Sequence, residues 1–513
     1  MFTEPWARTI VLTRFLFWGG EKLEIIDRLL GGNINFGRKR IILDYEEVTP
    51  ENVEEVLSKC LSIHASNKSD CQYLIDYFLG KQDILLRSES KTSSINNTTV
   101  VNYAFPITRE IVGYTYGNPI ELVQKDIKYL EDVNKLSSIY DYEDAYYVDI
   151  CTAIFDSICG VAYQMTLPSS MINKDDTPDV PIRYMCLDPR YTFVAFSSST
   201  GNPQLMSGQI TVSENGLESY VLYTDKYIFR IDVNGNIEVS RNIVGLDPIT
   251  MFENAIFLTG DWEQAISVLN ASNQVTSDAL NDIEGTIKSL LVILGAEFDE
   301  DDKDSSTLKK IKEDRVLTLT NAAGGNVDSK FISPQLDSTS VQNIREYLED
   351  ARNVITGIPD RENNAGGGDT GTAVLNRNGW TDIEIVAKLK ELFFKKGKKK
   401  QLEIGIKILK ILDLLSDDFS VINVEPVIGR HTTDNLQTKT QAFATLVATG
   451  ELATIDCLEF SGLTNRVREV VERGKKEKEE REKQAIETEE QLSEDNQNTE
   501  DVVNEEIKGN NGE

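Results

Sequence analysis

The sequence predicts an α+β protein that is mainly helical and carries an antiparallel β meander. Three observations lead there. Apolar residues recur every three or four positions over most of the 513 residues, the period of an amphipathic helix. From about Pro181 to Val239 the period becomes two, with Asn215-Gly216 and Asn234-Gly235 between neighbouring runs. Long helical patterns at Asp261–Gly295 and Ser338–Thr356 then bracket two short strand-like runs.

In chain order, Glu21–Leu30 sets Ile25, Ile26, Leu29 and Leu30 on one side and stops at Gly31-Gly32, which can adopt the left-handed conformation that ends a helix. Thr49-Pro50 offers an N-cap and then a proline whose missing N–H has no partner to lose there, opening Glu51–Leu61. Ser69–Leu79, Pro106–Tyr116 and Tyr142–Cys159 continue the helical pattern. The meander reads as Tyr191–Phe196, Gln209–Val212, Tyr220–Tyr223, Tyr227–Asp232 and Ile237–Val239. Asn-Gly is a strong hairpin signal because both residues tolerate a positive φ. Asp261–Gly295 reads as one helix, on the order of 50 Å long at 1.5 Å per residue. Arg315–Thr320 and Val327–Ile332 read as strands joined by a turn at Ala323-Gly324-Gly325-Asn326. After the glycine-rich Gly357–Gly371, a helix is expected from Thr372 to Lys396, continuing through Lys398–Leu415. Phe419–Ile428 alternates as a strand does, and Leu436–Ala448 and Asn465–Arg473 are helical.

Charge narrows the function. Lys and Arg number 53 against 84 Asp and Glu, a formal net charge of −31, so a diffuse basic surface for gripping phosphate is excluded. The 39 residues after Gly474 hold 14 acidic and 6 basic side chains and no aromatic, and they cannot bury enough surface to offset ordering, so disorder is expected. Taking the tail's −8 away leaves −23 on the body, which is therefore acidic in its own right. Six cysteines without a C-x-x-C pair are expected to be reduced, mostly buried thiols in a cytosol. With only His64 and His431, imidazole metal sites and histidine triads lack material. Glu4, Arg8 and Arg14 interrupt the apolar start of the chain, which is read as neither a signal peptide nor a membrane span.

Several motifs fail on their chemistry. Gly32 to Gly37, followed by Arg38 and Lys39, resembles a P-loop, but Arg38 stands where the lysine is needed and no Ser or Thr follows for magnesium. Gly366, Gly368 and Gly371 satisfy G-x-G-x-x-G, but a helix rather than a strand precedes them. The acidic run Asp299–Asp304 lacks the mid-loop glycine of a calcium loop, and Lys310 stands where its bidentate glutamate belongs. Lys388, Lys390, Lys395, Lys396, Lys398, Lys399 and Lys400 form the one dense basic stretch. It reads either as a contact to DNA phosphates or as a solvated helix end, where the macrodipole favours cations. No constellation of acid, base and nucleophile stands out, so no enzyme activity, cofactor or metal is expected.

Leu79-Gly80-Lys81-Gln82-Asp83-Ile84, Val100-Val101-Asn102-Tyr103-Ala104 and Val112-Gly113-Tyr114-Thr115-Tyr116-Gly117-Asn118-Pro119 follow one another in the first half. Gly357-Ile358-Pro359-Asp360, Gly368-Asp369-Thr370-Gly371-Thr372-Ala373 and Thr449-Gly450-Glu451-Leu452-Ala453-Thr454 follow later. In this order, over roughly residues 65 to 475, they resemble the portal (head-to-tail connector) proteins of tailed double-stranded DNA bacteriophages. The chain departs from that pattern at Asp83, where family members often have proline, at Thr370, where they often have serine, and near His431, where an Asn-x-Pro element is common.

The resemblance implies a mainly helical portal fold of wing, stem, clip and crown, with the β meander in the wing. It implies residues 1–260 as the N-terminal wing, 261–295 as stem helix 1, 296–334 as the clip and 335–356 as stem helix 2. It implies 357–371 as the tunnel loop, 372–430 as channel helix and wing return, 431–473 as crown and 474–513 as an acidic tail. Arg361, Glu362, Asn363, Asn364, Gly366, Gly367, Gly368, Asp369 and Thr370 would then line the DNA channel. Lys388, Lys395, Lys396, Lys398, Lys399 and Lys400 are the candidate DNA-facing basic cluster. Asp299, Asp301, Asp302, Lys309, Lys310, Arg315, Asn326, Asp328 and Lys330 would offer the clip's contacts to terminase and adaptor. The implied partners are further copies in a dodecameric ring, the viral DNA, terminase, major capsid and scaffolding proteins and head–tail adaptors, with no membrane. The implied location is the portal vertex of the virion, after assembly in the host cytoplasm. Two other classes remain open, a different connector or capsid-associated ring protein and a packaging enzyme.

Overall fold

The computed structural model describes residues 36–88, 95–171, 180–287, 290–294, 316–319, 328–332, 338–359, 380–430, 436–450, 452–464, 467 and 470–484. The expected Glu21–Leu30 helix, the Asp299–Asp304 turn, the loop 360–371 and the tail from 485 lie outside these residues. Contacts divide the chain into two units, Met1–Gly117 with Tyr140–Leu414, and Asn118–Ile139 with Leu415–Glu513.

The described elements are β1 (Ile41–Leu43), α1 (Val53–Phe78), α2 (Ala104–Tyr116), β2 (Ile120–Gln124), α3 (Leu130–Tyr142), α4 (Ala145–Cys159), β3 (Val161–Pro168) and β4 (Ile182–Leu187). There follow β5 (Thr192–Ser197), β6 (Gln204–Val212), β7 (Glu218–Tyr223), β8 (Tyr227–Ile231), β9 (Ile237–Arg241) and β10 (Ile249–Glu253). Then come α5 (Ile266–Ile287), β11 (Leu290–Leu294), β12 (Val316–Leu319), β13 (Asp328–Ile332), α6 (Ser338–Thr356) and α7 (Trp380–Ile411). β14 (Val424–Ile428), α8 (Leu436–Ala448) and α9 (Thr454–Ser461) complete the series, and 470–484 is helical.

The larger unit holds a six-stranded sheet in the order β1-β5-β6-β7-β8-β9, antiparallel throughout the meander and parallel only where β1 meets β5. The expected Asn-Gly turns are present, with Gly216 and Gly235 at φ 75° and 84°. One face of this sheet packs Phe193, Met206, Leu222 and Phe229 against Val53, Val56 and Cys60 of α1. A second sheet, β10-β3-β4, buries Val161, Tyr163 and Met165 against Val194, Tyr223 and Ile228 of the first. A helical layer centres on Trp262, which stacks on Tyr77 at 5.4 Å and donates its indole N–H to Thr108.

The structure differs from the sequence reading in three places. The two short helices expected at Glu51–Leu61 and Ser69–Leu79 are one helix, α1, because His64 and Asn67 between them are buried and bonded to the backbones of Arg190 and Lys39. The helix expected to reach Gly295 ends at Ile287, and Leu290–Leu294 is a strand. The expected hairpin beyond it is instead a three-stranded sheet, in which β11 pairs parallel with β12 and antiparallel with β13. The helix expected to continue past Lys396 does so: α7 runs unbroken through Gly397, where a Cβ would stand 2.7 Å from the Phe252 ring, so glycine is required by the approach of that ring.

The smaller unit pairs β2 with β14 antiparallel, Val424 opposite Gln124 and Ile428 opposite Ile120. Asp132 caps the adjoining loop through the N–H and hydroxyl of Ser416, and Tyr129 lies against Phe419.

Candidate functional site

The densest chemistry among the described residues lies along α7. Ile383, Ala387, Lys390, Phe394, Lys398 and Gln401 follow at three- and four-residue steps and all are buried, so two lysines sit on what would otherwise be an ordinary apolar stripe. A buried ammonium persists only with an anionic partner. Lys390 Nζ lies 2.8 and 2.9 Å from the two carboxylate oxygens of Asp261 and also donates to Asn254. Asp261 is held in turn by the Ser157 hydroxyl at 2.6 Å and the Asn254 amide at 2.8 Å. Lys398 Nζ donates to both oxygens of Asp149 at 2.8 Å, beneath the Tyr140 ring, and Gln164 donates to the same carboxylate at 2.9 Å.

Asp149 and Asp156 stand seven residues, two turns, apart on α4. Asp156 is buried near Lys390, Asp261 and Glu253, and its Oδ1 has no hydrogen-bond partner among the described residues. Burial pushes its carboxyl up to about 7, against the pull of Lys390. At the edge of this group Arg40 grips Glu253 at 2.6 and 2.9 Å, and Lys396 reaches it at 3.6 Å. Arg38 and the Gly37 N–H both donate to Glu263 Oε1, and the Gly260 N–H donates to Oε2. Asp149, Asp261, Glu253 and Glu263 each have a cationic partner and Asp156 has none of its own among the described residues, and the arrangement ties α7 to α4 and to the β10–α5 connection. Among the described residues no group of three or more His, Cys, Asp or Glu is placed to hold a metal.

This geometry corrects the reading of the lysine stretch. It lies within α7 rather than at a helix end, and Lys390 and Lys398 are turned into the protein, where neither DNA nor solvent meets them. Lys400 hydrogen-bonds Gln204, and burial lowers its pKa despite Asp247 nearby. Lys395 pairs with Glu391 at 2.7 Å, and Lys399 is half-buried. Lys388 and Lys396 alone of the group are well exposed. Arg38, from the P-loop-like stretch, is consumed by Glu263.

The remaining candidates are not brought together with this cluster. Arg361, Glu362, Asn363, Asn364, Gly366, Gly367, Gly368, Asp369 and Thr370 lie outside the described residues, as do Asp299, Asp301, Asp302, Lys309, Lys310, Arg315 and Asn326. Asp328 and Lys330 belong to β13, in register with Leu294 and Val292. Asp149, Asp156, Asp261 and Glu253 escaped sequence reasoning, since a carboxylate in so acidic a chain carries no signal by itself. The usable signal was the placement of Lys390 and Lys398 on the apolar stripe.

A sequence profile for the family described as "Phage portal protein, SPP1 Gp6-like" matches residues 57–484. No curated protein sequence matches the chain. Among solved structures the chain is similar to one described as the neck of an empty GTA particle computed with C6 symmetry, at 12% identity and a TM-score of 0.39, covering 70% of this chain and 90% of that one.

Proposed function

The chain belongs to the phage portal protein family of the SPP1 Gp6-like type, and from that premise we propose that it is the repeating subunit of a ring at one capsid vertex, through which the genome is packaged and ejected. The observation that carries this reading is the family match over residues 57–484, which takes in every described element from α1 to the helical segment 470–484 save the first four residues of α1. The ring is dodecameric, located in the virion and assembled in the host cytoplasm, with major capsid and scaffolding proteins around it and adaptors joining it to the tail. Residues 1–260 form the wing, α5 and α6 belong to the stem, 296–334 form the clip that docks terminase and adaptor, and 357–371 form the tunnel loop. Residues 372–430 return to the wing and 431–473 form the crown.

Electrostatics supports passage rather than gripping. Duplex DNA carries about one negative charge per 1.7 Å of axis, so a basic lining would hold it at successive phosphates. A body carrying −23 repels it evenly and leaves few deep wells for sliding in either direction. Force comes from a separate terminase, and this chain acts as conduit and dock. Electron microscopy of the purified full chain tests the proposal. Rings with a central hole and an axial stem are expected, and a uniform monomer under all assembly conditions would refute it.

A further inference from the structure

Two helices of the larger unit leave apolar stripes uncovered. On α7, Ile385, Leu389 and Leu392 are 53, 56 and 67% exposed at steps of four and three residues. On α6, Ile344, Tyr347 and Val354 are 49, 72 and 83% exposed at steps of three and seven. α7 buries its opposite side against β10 and β3, and α6 packs against α5 with its other side half-buried, so neither stripe is the helix's own core face. Exposed apolar side chains that line up along a helix mark an interaction surface, unlike scattered ones.

The charges beside the two stripes are opposite. Lys388 and Lys396 accompany the α7 stripe, and both are exposed. Glu346 and Asp350 run along one flank of the α6 stripe, also exposed. Among the described residues Lys388 has only a 3.5 Å contact to Glu384 on its own helix, and Glu346 accepts from Gln342 at 2.9 Å, so both charges can take a further partner. The α7 stripe is bounded at its ends by Asp382 and Glu403, which confines the positive stretch to its middle. A stripe with exposed lysines beside it and one with an acidic flank are complementary to each other, and neither is complementary to itself. Such a pair suits a head-to-tail interface, in which one surface meets a different surface of the next copy and the rotation closes a ring.

We infer that the partner of the exposed α7 stripe is a second copy of this chain, which presents its α6 stripe, so that this pair of helices forms part of the contact between adjacent ring subunits. The inference rests on the ring reading above and specifies which surfaces close the ring. The apolar residues form the dry centre and the Lys–Asp and Lys–Glu pairs the rim, the usual division of a protein interface.

The test uses full-length chains. Tyr347→Cys and Leu389→Cys are purified separately, allowed to assemble alone or mixed, and treated with a short bis-maleimide. Linked dimers above the wild-type background are expected only in the mixture, and a chain carrying both changes should give a ladder of linked subunits. Linkage within either single variant, or rings visible by microscopy with no linkage in the mixture, would overturn the inference while leaving the portal reading intact. Wild-type chain that forms no rings at all would remove the portal reading itself. As a second measurement, Lys388→Glu should reduce the ring fraction roughly tenfold, because it sets like charges together, and adding Asp350→Lys should restore it. All four positions face solvent, so unchanged circular-dichroism melting of the unassembled chains is expected to accompany these effects. A ring fraction indifferent to Lys388→Glu would count against the interface.

Discussion

Asp156 is a carboxyl group enclosed by protein, with one oxygen that meets no donor among the described residues. Burial raises it to about 7, against an ordinary value of 3.8. Between those values the folded chain holds a proton that the unfolded chain has lost, so stability falls as pH rises through that window. Asp156→Asn keeps the shape and abolishes the ionisation. Its thermal midpoint should match that of the parent near pH 4 and exceed it near pH 8, by at most about 4 kcal/mol in unfolding free energy. A gap between the two that does not change with pH would show that the proton is not responsible. Lys398 presents the complementary case. Lys398→Met leaves Asp149 charged and unpaired in the interior, which costs roughly 3–5 kcal/mol, and adding Asp149→Asn should recover more than half of that in urea unfolding. If the second change adds to the first, the pair is not coupled.

At the scale of elements, the ends of helices and strands are decided by what stands beside them. Gly160 caps α4 at φ 73°, and a Cβ there would lie 2.1 Å from the Leu258 carbonyl oxygen. Gly216 has nearly the same φ, 75°, in an exposed hairpin with open space around it. Gly216→Ala should therefore cost about 1 kcal/mol of backbone strain, while Gly160→Ala must also displace the β10–α5 connection and should cost about 3 kcal/mol or more. Equal losses in thermal denaturation would contradict the crowding argument. The same dependence on neighbours explains which elements were legible. The meander strands from β5 to β9 are legible from their β-branched and aromatic residues and from the Asn-Gly turns between them. β3 was not read, because seven consecutive residues from Val161 to Leu167 are buried and nothing alternates. β11 was read as helix, since Leu290-Leu291-Val292-Ile293-Leu294 is a short apolar run with no period of its own, and pairing with β12 and β13 decides its state.

For the whole molecule, net charge governs how it meets DNA. If passage depends on an evenly repelling wall, exchanging bore-facing Asp and Glu for Asn and Gln should slow packaging or ejection, by letting phosphates settle against the remaining lysines. The measurement is the packaging rate of particles built with such subunits, and identical kinetics across several neutralised sets would refute the idea. By itself the sequence determined the acidity, the mixed helix and strand composition with its meander, and the order of segments that marks the portal family. These depend on composition and short-range periodicity, which survive in one dimension. Only the tertiary structure decided what the lysine stretch does. Helical spacing sets Lys398 on the apolar stripe and Lys388 off it, but it does not name the partner: Lys388 faces solvent, and Lys398 lies 2.8 Å from Asp149, a residue 249 positions away. A lysine's role depends on where its counter-charge is brought by folding, and no local pattern records a partner that far along the chain.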